Sequence, residues 1–229
     1  MAQIREMFDQ IHKRYDMLNH LMSAGRDIAW RKTCCKKLPK KEGAVVLDLC
    51  GGTGDFSLAC KKIWGEPKLS IAGDFAGKML GVAAQKDANL KLVQMDAMQI
   101  PLANGSVDIV LNGFGMRNIP HLDLVFNEVF RVLKPGGCFA TLDFFKPEKT
   151  IPKLFYRKIA PLAIPFAGMM FSKRNAYRYL VLSILSFITA KEYAAKARKA
   201  GFTLRCINAL DFGLAHIVLL EKKLPARLR

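Results

Sequence analysis

The residues whose types and spacing could do chemistry are the glycines of VLDLCGGTGD, residues 46–55, and two aspartates that follow them, Asp74 and Asp96. Gly51, Gly52 and Gly54 lack side chains, so the backbone can turn tightly and come close to a ligand. The first turn of the next helix adds unpaired N–H groups. A loop of this kind receives a nucleotide cofactor, although glycine turns also arise for local reasons and the loop alone is weak evidence. Asp74 ends the next apolar segment 20 residues after Gly54, the separation at which a second strand delivers a carboxylate to a ribose diol. A dehydrogenase would use that acid in the same way. Its fingerprint is G-x-G-x-x-G, however, and Ser57 stands at the third glycine's position. A third apolar segment ends LVQMDAM, so the Asp96 side chain and the Ala97 backbone N–H can read an adenine edge. One acid after the second strand and another after the third fit S-adenosylmethionine better than a nicotinamide.

The elements that must hold these residues follow from periodicity. Residues 3–22 space Ile4, Met7, Phe8, Ile11, Tyr15, Leu18, Leu21 and Met22 at three and four, an amphipathic helix or two short ones. A second helix follows near 27–37, and the pair reads as a cap packed over a site. Strands are expected at 44–50, 68–73, 90–95, 106–112 and 137–145, alternating with helices at 55–64, 76–87 and 121–133. This is an α/β doubly wound parallel sheet, whose ligands sit at the carboxyl ends of its strands. A helix at 189–200 and strands at 202–208 and 213–223, the last two an antiparallel hairpin, bring the sheet to seven strands. The whole is one domain: cap 1–43, cofactor-binding core 44–145, lid 146–190, and final helix with β-hairpin 191–229. The lid breaks the rhythm with Pro147, Pro152, Pro161 and Pro165 and lies over the strand ends.

The formal net charge of +17 is unevenly divided. Residues 46–145 carry −1, the first 45 residues +5, and residues 146–205 carry +11. Such a patch faces a polyanion, either phospholipid headgroups or nucleic acid. The six cysteines show no C-x-x-C spacing, so neither a zinc site nor a disulfide framework is expected, and they read as thiols in a reducing cytosol. The N-terminal residues are charged throughout and predict no signal peptide. The apolar runs 159–171 and 179–190 are too short to span a bilayer. A cytoplasmic protein, peripheral at most on the inner face of a membrane, is expected. No signal bears on oligomeric state.

RYDMLNHLMSAG (14–25) with Trp30-Arg31, VLDLCGGTGD, IPLANGSVDIVLNGFGMRNI (100–119), EVFRVLKPGG (128–137), TLDFFKP (141–147) and AYRYLVLSI (176–184) together resemble the ubiquinone/menaquinone biosynthesis C-methyltransferases. The likeness runs from about residue 5 to residue 220 and implies a Rossmann-like class I methyltransferase fold with S-adenosylmethionine as cofactor. It also implies a prenylated quinol as substrate. Carried over, the cofactor residues are Gly52, Thr53 and Gly54 in the loop, Asp74 on the ribose, and Asp96 with Ala97 at the adenine. Gly113 stands where the family often has Ser, so only backbone can serve there. At 187–190 the family tends to a Pro-containing turn, and this chain reads Phe-Ile-Thr-Ala. The extended N-terminus of the ubiquinone type is absent, which points to demethylmenaquinol over a benzoquinol.

The chemistry can also be argued from the residues. A sulfonium methyl needs a soft nucleophile in line, and a quinol carbon becomes one when the neighbouring hydroxyl loses its proton. Arg117 and Asn118, after the fourth strand, are expected to orient that oxygen and stabilise its charge. Arg117 is too basic to take the proton, which falls to a water, Asp96, Tyr156, Tyr177, His121 or His216. No metal is expected. The rival reading is an RNA methyltransferase with the basic insertion tracking phosphates. It would want a D/N-P-P-Y/F/W loop after the fourth strand to stack a flipped base, and this chain has Asn112-Gly113-Phe114-Gly115. No nucleic-acid partner is expected.

Overall fold

The computed structural model describes residues 2–148, 154 and 182–224. Strands β1 (Val45–Leu49), β2 (Leu69–Asp74), β3 (Lys91–Gln94), β4 (Val107–Gly113), β5 (Leu133–Asp143), β6 (Thr203–Leu210) and β7 (Ala215–Glu221) form one sheet, ordered β3-β2-β1-β4-β5-β7-β6. The first five are parallel; β7 runs antiparallel between β5 and β6. The chain reverses direction at β1, where β2 and β4 flank it, and that switch point opens the crevice at the strand ends.

The central strands are apolar on both faces because both are covered. Val46 and Ile109 point to one side, Leu47 and Val110 to the other. On the first side pack α3 (Arg26–Lys37) and α4 (Asp55–Trp64); on the second, α6 (Leu122–Val132) and α7 (Ala190–Lys199). Helix α5 (Gly77–Lys86) packs on β2 through Leu80 and Ala83, which meet Ala72. Phe126, Phe139 and Tyr193 are completely buried on the α6 and α7 side. Truncating an aromatic at such a position costs about 3–5 kcal/mol. The Tyr193 hydroxyl finds Thr141 Oγ1 at 2.7 Å, and burial lifts its pKa well above normal, so it is a satisfied core group.

The cap is two short helices, α1 (Ala2–Ile11) and α2 (Tyr15–Met22), followed by α3. It is tied to the hairpin at the far edge: Arg26 and Trp30 Nε1, one turn apart on α3, both donate to Asp211, the latter at 2.6 Å. The sequence Phe187-Ile188-Thr189-Ala190 resolves into a helix start. Thr189 Oγ1 accepts from Glu192 N while Glu192 accepts from Thr189 N, a reciprocal capping box. Most of the expected lid, 146–190, lies outside the described residues.

One expectation is overturned. Cys35 on α3 and Cys60 on α4 form a disulfide with Cα atoms 5.4 Å apart, whereas Cys34, Cys50, Cys138 and Cys206 are free. Helix packing brings together residues 25 apart in sequence; no local spacing carries that information.

Candidate active site

The glycine loop turns at the top of β1 because its backbone cannot carry side chains there. A Cβ on Gly51 would lie 2.9 Å from the Asp48 carbonyl oxygen, and Gly52 and Gly54 have φ of +53° and +79°. Cys50, with φ +56°, is forced into the left-handed region at the same turn. Below the loop, Asp48 Oδ2 accepts from the backbone and hydroxyl of Ser57, both at 2.9 Å. Its Oδ1 is buried with no partner among the described residues. Burial, opposed by those hydrogen bonds and by Arg31, raises the Asp48 pKa to about 6.

Asp74 closes the cradle at the top of β2. Its Oδ2 accepts from Gly52 N at 2.9 Å and its Oδ1 from Ala76 N at 2.8 Å. Burial raises its pKa despite these bonds. A carboxylate has about four acceptor positions, so Asp74 keeps capacity for a further donor beyond these backbone bonds. At the top of β3, Asp96 Oδ1 accepts from Met98 N at 2.8 Å, and Ala97 is buried beside it.

Gly52, Asp74, Asp96 and Ala97 line one cleft, together with Phe8, Tyr15, Cys50, Met79, Met95, Gly113, Phe114, Asn118 and Ile119. The wall is mostly apolar with few polar groups, as small-molecule sites are. Of the residues expected from sequence, Gly52, Asp74, Asp96, Ala97, Gly113 and Asn118 meet here. Thr53 and Gly54 do not form the wall. The Thr53 hydroxyl donates to Asp16 of α2 at 2.5 Å, and Gly54 packs against Ala83 and Leu90, leaving only 3.2 Å for a Cβ.

Arg117 also stands behind the wall. It lies in the turn after β4, where Phe114 takes φ +61° and Gly115 has no space for a Cβ, which would sit 2.6 Å from that of Cys50. Arg117 Nη1 donates to the Phe114 carbonyl at 2.5 Å and to Asp143 Oδ1 at 2.7 Å. Its Nε is buried without a partner among the described residues. Asp143, completely buried at the end of β5, has its pKa raised by burial against the pull of Arg117. The guanidinium carbon lies 5.5 Å from the centre of the Phe144 ring, which stacks on Phe114 at 4.9 Å.

Among the proton acceptors considered, Asp96 alone of the described residues lines the cleft. His121 lies exposed at the start of α6, and His216 packs edge-on to Phe145 at 5.9 Å. Tyr156 and Tyr177 lie outside the described residues. Sequence reasoning missed Tyr15 and Phe8. Both read as ordinary apolar positions of an amphipathic helix, yet Phe8 contacts Tyr15 and Phe75 edge-on and both rings face the cleft. Burial raises the Tyr15 pKa, opposed by Asn19 and by the nearby Arg117 and Arg31, so its hydroxyl is a donor at neutral pH. The RYD string at 14–16 was the signal: it sets a phenol at a helix start, facing the glycine loop.

The chain is similar to known proteins in both sequence and fold. The model of the ubiE/COQ5 methyltransferase family matches residues 1–220. A demethylmenaquinone methyltransferase of Lactobacillus johnsonii (strain CNCM I-12250 / La1 / NCC 533) is 36% identical over 226 residues, 96% of this chain and 93% of its own. One from Staphylococcus aureus (strain JH9) is 35% identical over 218 residues, 93% and 90% of the two chains. Among solved structures, a SAM-dependent methyltransferase from Thermotoga maritima has a TM-score of 0.69 at 16% identity, covering 95% of this chain and 99% of its own. That last likeness is one of fold.

Proposed function

Because the chain belongs to the ubiE/COQ5 methyltransferase family, we propose that it C-methylates the ring of a prenylated quinol, turning demethylmenaquinol into menaquinol. S-adenosylmethionine is the cofactor. The residues present fit it: a diol acceptor at Asp74, a polar side chain and a backbone N–H at Asp96 and Ala97, and a glycine turn whose Gly51 has no room for a Cβ. When bound, the cofactor supplies an electrophilic methyl on a sulfonium.

The observation that carries the substrate reading is a single apolar cleft that sets Asp74 and Asp96 against Phe114, Asn118 and Ile119. A flat ring fits between apolar walls there, and positioning in a dry pocket can supply about 7–11 kcal/mol of the barrier. Asn118 orients the ring oxygen. Arg117, fixed by Asp143 and the Phe114 carbonyl, projects positive charge at that oxygen as its proton leaves, which favours the electron-rich carbon nucleophile. Asp96 is engaged at the adenine end of the cleft, so a water is left to take the proton to solvent. Gly52 and Gly54 shape the turn, Thr53 locks it to the cap, and Gly113 leaves space at the top of β4, where a Cβ would be 3.0 Å from Phe56.

A prenyl tail has no reason to leave a bilayer, so the protein works at an anionic membrane surface with its basic segment against the headgroups. No helix among the described residues is long and apolar enough to cross a membrane. Vesicle flotation checks this: binding should need anionic lipid and fall with salt. The substrate reading is tested by incubating the protein with methyl-labelled cofactor and, separately, demethylmenaquinol, a methoxybenzoquinol and cellular RNA. Label in the naphthoquinol extract is expected. Label in RNA alone would restore the rival, which the loop Asn112-Gly113-Phe114-Gly115 and the family match do not support.

A further inference from the structure

Arg31, on α3, is a second buried guanidinium that the reading above leaves without a task. Its side chain is 8% exposed. Nη1 donates to Asp27, a carboxylate that also serves Ser23 at 2.7 Å and His20 at 2.9 Å. Among the described residues this is its one hydrogen bond, so Nε and Nη2 keep their donors. A planar fork of five N–H groups, buried with one of them engaged, has capacity for a further acceptor and gains from one.

Its position says which acceptor. The guanidinium carbon lies 5.3 Å from the centre of the Phe114 ring, and Phe114 lines the cleft. Arg31 also acts on the Tyr15 hydroxyl, in the same wall, and on Asp48 under the glycine loop. Its partner Asp27 lies with His20 beside Asp55, the first residue of α4, their ligand atoms within 4.8 Å of one another. Arg31 therefore stands where the loop enters its helix. Along the strand ends, the order β3-β2-β1-β4 puts the adenine contacts Asp96 and Ala97 first, the ribose acceptor Asp74 second and the glycine loop third. A molecule laid along that row presents its amino-acid end next to Phe114.

We propose that Arg31 anchors the carboxylate of S-adenosylmethionine's amino-acid end, with the Tyr15 hydroxyl as a second donor. The pairing would give the cap a direct hold on the cofactor, since Tyr15 starts α2 and Arg31 belongs to α3. The inference rests on the placement of ribose and adenine above and is independent of the quinol.

The test uses two ligands and no methyl acceptor. S-adenosylhomocysteine keeps the carboxylate; 5′-methylthioadenosine keeps the adenosine and the thioether and lacks the amino acid. Calorimetry on Arg31→Gln should show S-adenosylhomocysteine weakened by roughly tenfold or more, the loss of one charge-assisted contact, with 5′-methylthioadenosine unchanged. Arg31→Lys, which keeps the charge beside Asp27, should show a smaller loss of the same selective kind and serves if the glutamine variant does not fold. Equal weakening of both ligands would make Arg31 a structural residue and overturn the proposal. So would unchanged affinity for both, which would show that the carboxylate is held by other donors.

Discussion

Two turns cap neighbouring strands of the sheet, one after β1 at Cys50–Gly54 and one after β4 at Gly113–Arg117, and they are built differently. Each forces a non-glycine residue into the left-handed region, Cys50 at φ +56° and Phe114 at φ +61°, and each lines the cleft. The first is held through its backbone: its glycines, Gly51 N donating to the Gly73 carbonyl at 3.0 Å, and Gly52 N donating to the Asp74 carboxylate. The second is held by side chains from afar, Asn112 reaching the Leu49 carbonyl at 2.7 Å and Arg117 paired with Asp143. A backbone cradle suits a ligand common to many enzymes. Under the proposed function, a turn set by a buried ion pair would hold Arg117 behind the wall where a particular substrate oxygen needs charge.

The comparison breaks most visibly if the ion pair goes. Asp143→Ala leaves Arg117 buried without its counter-charge and should cost about 3–5 kcal/mol of stability, read from urea unfolding. Arg117→Lys is gentler on the fold, keeping the charge but losing the planar fork. Turnover should fall roughly tenfold to a thousandfold, about 1.4–4 kcal/mol, with cofactor affinity kept. Equal losses in both would show that the two turns are not separate devices.

The first turn has its own weak point in Asp48. Its folded pKa of about 6 stands above the unfolded value of about 3.9. The folded state therefore binds the proton more tightly, and the associated stability is full below about pH 4 and lost as pH rises through 6. Over that window the loss is about 3 kcal/mol, and Asp48→Asn should flatten the pH dependence of unfolding there. Asp74→Ala removes the diol acceptor and should weaken S-adenosylmethionine binding by about 1.5–3 kcal/mol in calorimetry on the folded variant. The smallest effect is at the cap. Asp16→Ala frees the Thr53 hydroxyl and releases Lys86, which it holds at 2.5 Å. These contacts are partly solvated, and about 1 kcal/mol in thermal unfolding is expected.

What could be read without coordinates was whatever the local chain decides. The doubly wound sheet and its antiparallel hairpin follow from the alternation of strands and helices, and the meeting of Gly52, Asp74, Asp96 and Ala97 from strand ends that aim their own last residues. Thr53 was in the right loop, but a hydroxyl that turns to Asp16 of α2 answers to packing between segments 37 residues apart. The same holds for Asp143 beneath Arg117, for Cys35 joined to Cys60, and for Tyr15 and Phe8. In each case residues distant in sequence meet because helices and strand ends pack, and periodicity reports only that a face is apolar.

The most direct measurement is the bond made. Protein supplied with cofactor carrying a carbon-13 methyl should convert demethylmenaquinol to a product whose labelled carbon, by NMR of the extracted quinone, is bonded to a ring carbon. A labelled methyl ether on the quinol oxygen, or no labelled quinone while another acceptor takes the methyl, would contradict the account.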